Sequence, residues 1–239
     1  MFLLGSNVDF LIHLGDFKPG NSKCDQSRID QLNDVLKVSP VPVFIVVGDN
    51  EYNDCRNISP RKALTHWRNT FERYDVRYWN HDFKVTQLHN RPEIFAFVNK
   101  RTLFLGLNLV GERVHDKQEW ADRHADQLSW VKDLMWENKK EIHSVVLFGP
   151  ANPGRIHSDF FNPFAVFLWN EFPTDIPVLY MCGDAHKWAY NLKYLGVDNW
   201  LRVRLTGHMG EPIVKITVDP EGRGNDPVDA FKVERFLDV

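Results

Sequence analysis

Residues 41–55 read "VPVFIVVGDNEYNDC". An apolar run rich in valine stops at Gly48 and is followed at once by Asp49, Asn50 and Glu51. A short continuous apolar run that ends in turn residues is the pattern of a buried strand. The glycine lets the chain turn sharply, so the acidic group is delivered to the carboxyl end of the strand, where α/β sheets bind ligands. The same punctuation recurs on either side. "VDFLIHLGDF" (8–17) ends in Gly15-Asp16, and "IPVLYMCGDAH" (176–186) ends in Gly183-Asp184, with His186 two residues on. One Gly-Asp pair is an ordinary turn, but three, each closing an apolar run, form a pattern. Clustered carboxylates repel one another unless a cation or protons neutralise them. The pattern therefore predicts a metal site, with Asp16, Asp49 and Asp184 as oxygen ligands and His186 at its edge.

Between these landmarks the periodicity is readable. Ile29, Leu32 and Leu36 predict a helix over 26–37, ended by Pro40 and Pro42, with a strand over 43–47 after it. Ser59 followed by Pro60 reads as N-cap and first residue of a helix running to Arg73. Residues 94–98 and 102–109 predict an antiparallel hairpin around "NKR". Trp120, Leu128, Val131, Leu134 and Met135 mark one face of a helix over 117–140. "HSVVLFGP" (143–150) and "IPVLYMCGD" (176–184) predict two more buried strands. The alternation in "WLRVRLTG" and "EPIVKITVD" predicts a closing hairpin, with "TGHMG" (206–210) in its turn. Strand, helix, strand, then hairpins mixed with helices implies a layered α/β fold, not a doubly wound one. With no break in composition, one domain over residues 1–239 is expected.

The 239 residues carry a formal net charge of −3, which leaves no electrostatic footprint for nucleic acid. No apolar run approaches the ~20 residues needed to span a bilayer, so membrane insertion is not expected. The start, "MFLLGSNVDF", lacks the basic region of a secretion signal. Cys24 and Cys55 both follow strand-end loops. They are either free or, if those loops lie side by side, bridged; a bridge favours secretion or an organelle lumen. Cys182 sits in an apolar run and reads as a buried thiol. Glu51 is expected to cap backbone amides in its loop, His13 to be an ordinary strand histidine, and Trp188 to line a pocket beside the site.

With these blocks in order, the sequence resembles the calcineurin-like metallophosphoesterases. "LGDF", "GDNE" and "GDAH" match the second, third and fifth motif blocks of that family, and the likeness runs over most of the chain. It implies a layered β-sandwich flanked by helices (αββα) and a two-metal site that hydrolyses phosphate esters. By position, Asp16 corresponds to the carboxylate shared by both metals and Asp49 to a ligand asparagine. Asn50 stands at the catalytic histidine, and Asp184 and His186 stand at the two histidines of the last block. Oxygen-rich ligation favours Mn, Mg or Ca over Zn, with one ion or none expected.

Three departures from the family pattern bear on activity. Asn50 can hydrogen-bond a phosphate but cannot give up a proton as an imidazolium does. In "LFGPANPG", Gly149 or Pro150 stands where a ligand histidine is expected, and Asn152 is the nearest substitute. The family's first strand, with its Asp-x-His block, is not found in the seven residues before Val8. Strand 8–17 is thus expected to have an open edge, covered by a further segment or by a protein partner. Two functions follow. One is metal-dependent, weak or conditional hydrolysis of phosphate esters at an incomplete dimetal site. The other is an inactive phosphoesterase-fold subunit of a larger assembly. Rossmann-type nucleotide binding is disfavoured, because no Gly-x-Gly-x-x-Gly follows the first strand.

Overall fold

The structure is a computed structural model and describes residues 8–20, 22–111, 113–207, 213–224 and 226–236. The strands are β1 (Leu11–His13), β2 (Val43–Ile45), β3 (Thr86–Leu88), β4 (Arg91–Asn99), β5 (Thr102–Gly106), β6 (Ser144–Phe148), β7 (Val178–Cys182), β8 (Ala189–Asn191), β9 (Trp200–Arg204), β10 (Ile213–Val218) and β11 (Phe231–Phe236). The helices are α1 (Gln26–Leu36), α2 (Pro60–Phe71), α3 (Lys117–Asn138), α4 (Ser158–Asn170) and the short α5 (Pro227–Ala230). Ser59 caps α2 by accepting from the Lys62 amide, with Pro60 at the first position, as its sequence predicts.

Seven strands form the large sheet in the order β3-β4-β5-β6-β7-β9-β8. Its centre, β5 to β9, is parallel, and the β3-β4-β5 and β8-β9 pairings are antiparallel. Two smaller sheets, parallel β1-β2 and antiparallel β10-β11, lie over one face of it. The strand period of two sorts the side chains. Ile94, Leu103, Leu105, Val145, Leu147, Val178 and Tyr180 point toward α3 and α4. Phe95, Phe97, Phe104, Val146, Phe148, Leu179 and Met181 point the other way and meet Phe44 and Val46. Behind β2, Val43, Ile45 and Val47 pack with residues of α1 and α2, including Trp67 and Phe71. The resulting layers are helix, sheet, sheet, helix. They match the αββα expectation.

Two features differ from the sequence expectation. The first is the closing hairpin. β9 pairs with β7 and β8, and β10 pairs with β11 instead. Trp200, Leu201, Arg202 and Val203 are all buried, because β9 sits inside the large sheet with both faces covered. The chain therefore crosses from one sheet layer to the other between Arg204 and Ile213. The "TGHMG" turn lies partly outside the described residues. The second is α4, an unanticipated helix that carries Pro163 within it and buries Phe160, Phe161, Phe164, Phe167 and Leu168. The strand foreseen over 8–17 is regular only at Leu11–His13, and among the described residues it pairs with β2 alone.

Candidate metal centre

Backbone geometry at two strand ends builds the site. Past β1, Gly15 turns with φ +80°, and past β2 the chain runs through Val46 and Val47 to Gly48. The two ends touch. A Cβ on Gly15 would lie 2.5 Å from the Gly48 nitrogen, and one on Gly48 would lie 2.2 Å from Asp16 Oδ1. Only glycines allow this approach, and it lays the Asp16 carboxylate across the Gly48 backbone. Asp16 and Asp184 are themselves left-handed, at φ 57° and 52°. That region is uncommon for residues with side chains, although aspartate tolerates it better than most.

Asp16, Asp49 and Asp184 each present a carboxylate oxygen, and these oxygens all lie within 4.8 Å of one another. A third glycine closes the cluster from the loop after β5. A Cβ on Gly111 would fall 2.5 Å from Asp184 Oδ2 and 3.3 Å from Asp49 Oδ1. That loop is latched to the Asp49 loop by the buried Asn53, whose side-chain amide donates to the carbonyls of Gly111 (3.0 Å) and Arg113 (2.7 Å). Behind it, Asn108 accepts from Arg123 (3.0 Å) and donates to Glu93 (2.8 Å), while Arg123 pairs with Glu119. This network, which Gln127 joins by accepting from the Asn108 backbone amide at 2.7 Å, explains how Arg123 and Gln127 are buried on the same face of α3 as Trp120, Val131 and Met135.

The electrostatics are those of crowded negative charge. Burial raises the Asp16 carboxyl well above the usual carboxylate range, and Glu51, Asp49 and Asp184 push it the same way. Burial also pushes Glu51 up to about 7, against the two backbone amides it accepts from. Lys18 is buried close by. Desolvation lowers its pKa, and the field of Glu51, Asp54, Asp16 and Asp49 opposes that shift. Its Nζ donates to the Ser22 carbonyl at 3.2 Å. Among the described residues the converging donors are all carboxylate oxygens, a set that suits a hard divalent cation and whose mutual repulsion a cation would relieve. The residues present therefore fit such an ion.

The other residues singled out from the sequence are placed as follows. His186 is exposed, left-handed (φ 49°) and outside the carboxylate trio, with its ring against Gly207. The Asn50 amide donates to Asp16 Oδ1 at 3.3 Å, and its side-chain oxygen lies against Gly20. Glu51 caps the amide of Gly48, as foreseen, and also that of Asp16. Asn152 is drawn away to Arg202, 2.5 Å from its Nη1, and Pro150 contributes its carbonyl to the Gly183 amide. The His13 ring accepts from the Gly15 amide at 3.1 Å within its own strand end. Trp188 packs under the Arg235 guanidinium, 4.6 Å from ring centre to carbon. Cys24 and Cys55 are bridged, which ties together the loops that carry Asp16 and Asp49.

The sequence reading missed Lys18, Asn53 and Gly111. Gly111 had a signal: "LFLGLNLVG" is a further apolar stretch that ends in glycine. Lys18 and Asn53 had none, since their roles come from burial alone. A family model described as calcineurin-like phosphoesterase matches residues 2–188. No curated protein matches the chain. The match spans well over half of the sequence and agrees with the layered fold and the strand-end carboxylates. The chain belongs to the calcineurin-like phosphoesterase family.

Proposed function

We propose that this chain is a metal-dependent phosphoesterase with an incomplete dimetal site, hydrolysing phosphate esters weakly or conditionally. The observation that carries this reading is the convergence of Asp16, Asp49 and Asp184 within 4.8 Å. Those three residues would hold one divalent ion, with Mn, Mg or Ca favoured by the all-oxygen donor set. A bound ion of this kind supplies Lewis-acid stabilisation of charge on a phosphoryl oxygen. Asp16 is also held by the Asn50 backbone amide, which donates to its Oδ1. Asn50 occupies the position from which a family histidine would act. Its amide can orient a phosphoryl oxygen, and a leaving group would have to take its proton from elsewhere. The Cys24–Cys55 bridge favours an oxidising compartment, either extracellular or lumenal.

A second reading, a phosphoesterase-fold subunit without catalysis, is favoured by the fourth-block position. There Gly149 and Pro150 offer no ligand side chain, and Asn152 is engaged by Arg202. A protein partner along the outer edge of β1 belongs to this reading. The two separate by measuring bound Mn²⁺ and hydrolysis of an aryl phosphate, with Asp16→Asn as control. Turnover that needs Mn²⁺ and falls at least tenfold in the Asp16→Asn protein is the expected result. If Mn²⁺ is not bound and turnover is indifferent to Asp16, the second reading stands.

A further inference from the structure

We infer that Glu51 is a positioning residue for the carboxylate trio, acting on cation affinity through the backbone of both strand ends; this rests on the metal reading above. Its Oε1 accepts from the Gly48 amide at 2.7 Å and from the Asp16 amide at 3.1 Å. Those amides belong to different strand ends, so one oxygen ties the β1 end to the β2 end. The tie acts at the point that matters. Asp16 is held left-handed there, and its carboxylate lies over Gly48, whose missing Cβ makes room for it. A non-glycine residue keeps such a backbone conformation only when its surroundings over-determine it. The Asn50 amide then donates back to Asp16 Oδ1, so the loop that carries Glu51 grips Asp16 at both backbone and side chain.

Glu51 does not act as a ligand in this geometry. Its oxygens fall outside the group formed by Asp16, Asp49 and Asp184. The residue is nevertheless almost fully buried, and its Oε2 has no hydrogen-bond partner among the described residues. It borders a small cavity shared with Lys18, Phe17 and Cys24. Burying a carboxylate in this way costs stability. The contribution it makes is reach: from residue 51 the side chain extends to two amides that no backbone carbonyl among the described residues satisfies. Groups that orient metal ligands in this manner typically change affinity 10–100-fold when removed.

Two conservative substitutions divide reach from charge. Glu51→Gln keeps an acceptor oxygen at full length and loses the charge, whereas Glu51→Asp keeps the charge and is one methylene too short to span both amides. The measurement is Mn²⁺ affinity by calorimetry on the intact protein. Amide hydrogen exchange at Gly48 and Asp16 in the metal-free state provides a second readout. Expected is an affinity within threefold of wild type for Glu51→Gln. For Glu51→Asp, affinity should fall tenfold or more, with faster exchange at both amides. Equal affinity of wild type and Glu51→Asp, or an equal loss in both variants, overturns the inference while leaving the metal reading intact. A wild-type protein that binds no Mn²⁺ overturns both.

Discussion

Gly15 and Asp16 show how little room the site leaves for substitution. At φ +80° a side chain is already strained, and here the added Cβ would meet backbone atoms of Gly48 at 2.5 and 2.7 Å. Backbone cannot rotate aside as a side-chain tip can. Gly15→Ala is therefore expected to destabilise the protein by about 2–4 kcal/mol and to abolish Mn²⁺ binding, through strain and enforced separation of the strand ends. Urea denaturation and calorimetry test this; an unchanged midpoint would show that the two ends do not need contact. The Gly-Asp pairs, and hence this site, are legible in sequence because turn chemistry is local. The role of Asn53 is not, because its two acceptors, Gly111 and Arg113, are far along the chain and become neighbours only through packing.

Between elements, the disulfide does the most specific joining. Cys24 and Cys55 close a loop of 31 residues that contains α1 and β2, with Cα atoms 5.5 Å apart. Loop-closure entropy for that span corresponds to about 3–4 kcal/mol in the chain-entropy model. Cys24→Ser/Cys55→Ser, or reduction of the bridge, should lower stability by that order, seen as a lower denaturant midpoint at pH 7. An oxidised and a reduced sample with identical midpoints would contradict it. The spacing of these cysteines leaves bridging open, because two loops meet only if their strands pair, and the β1-β2 pairing is what brings them together. The same dependence explains β9. Its alternating sequence suits a hairpin or a central strand equally, and burial between two layers selected the latter.

The whole molecule answers to pH through imidazoles it buries uncharged. His124 on α3 and His157 ahead of α4 are 3.0 Å apart, with His157 stacked on Trp120. Burial lowers them to about 4 and about 3, respectively. Unfolded, each titrates near ~6.5. Between those values the unfolded chain binds more protons, so stability rises with pH. Full stability is thus present above ~6.5 and is lost as pH falls toward the folded values, on the order of 2 kcal/mol per imidazole by pH 5. Urea midpoints at pH 7 and pH 5 should differ in wild type and differ less in a His124→Gln/His157→Asn protein, where His13, lowered to about 4 by burial, still contributes. A wild-type midpoint that does not move would refute the buried-neutral description. Neither histidine stands out in sequence, since the two lie 33 residues apart and are buried together only where α3 packs beside the start of α4.

By itself the sequence determined the layered α/β fold, the three Gly-Asp strand ends and the capped second helix, since periodicity, turn residues and caps act over a few neighbours. Which strands pair, which loops meet and which side chains are held or diverted were decided by packing. Asp16, Asp49 and Asp184 converge because β1, β2 and β7 end at the same edge of the sandwich. Asn152 is turned to Arg202 because β9 runs beside β7. Glu51 reaches Asp16 because two glycines let the strand ends touch. Distances across sheet layers depend on the summed shape of all the side chains between them, and no local stretch of residues encodes that.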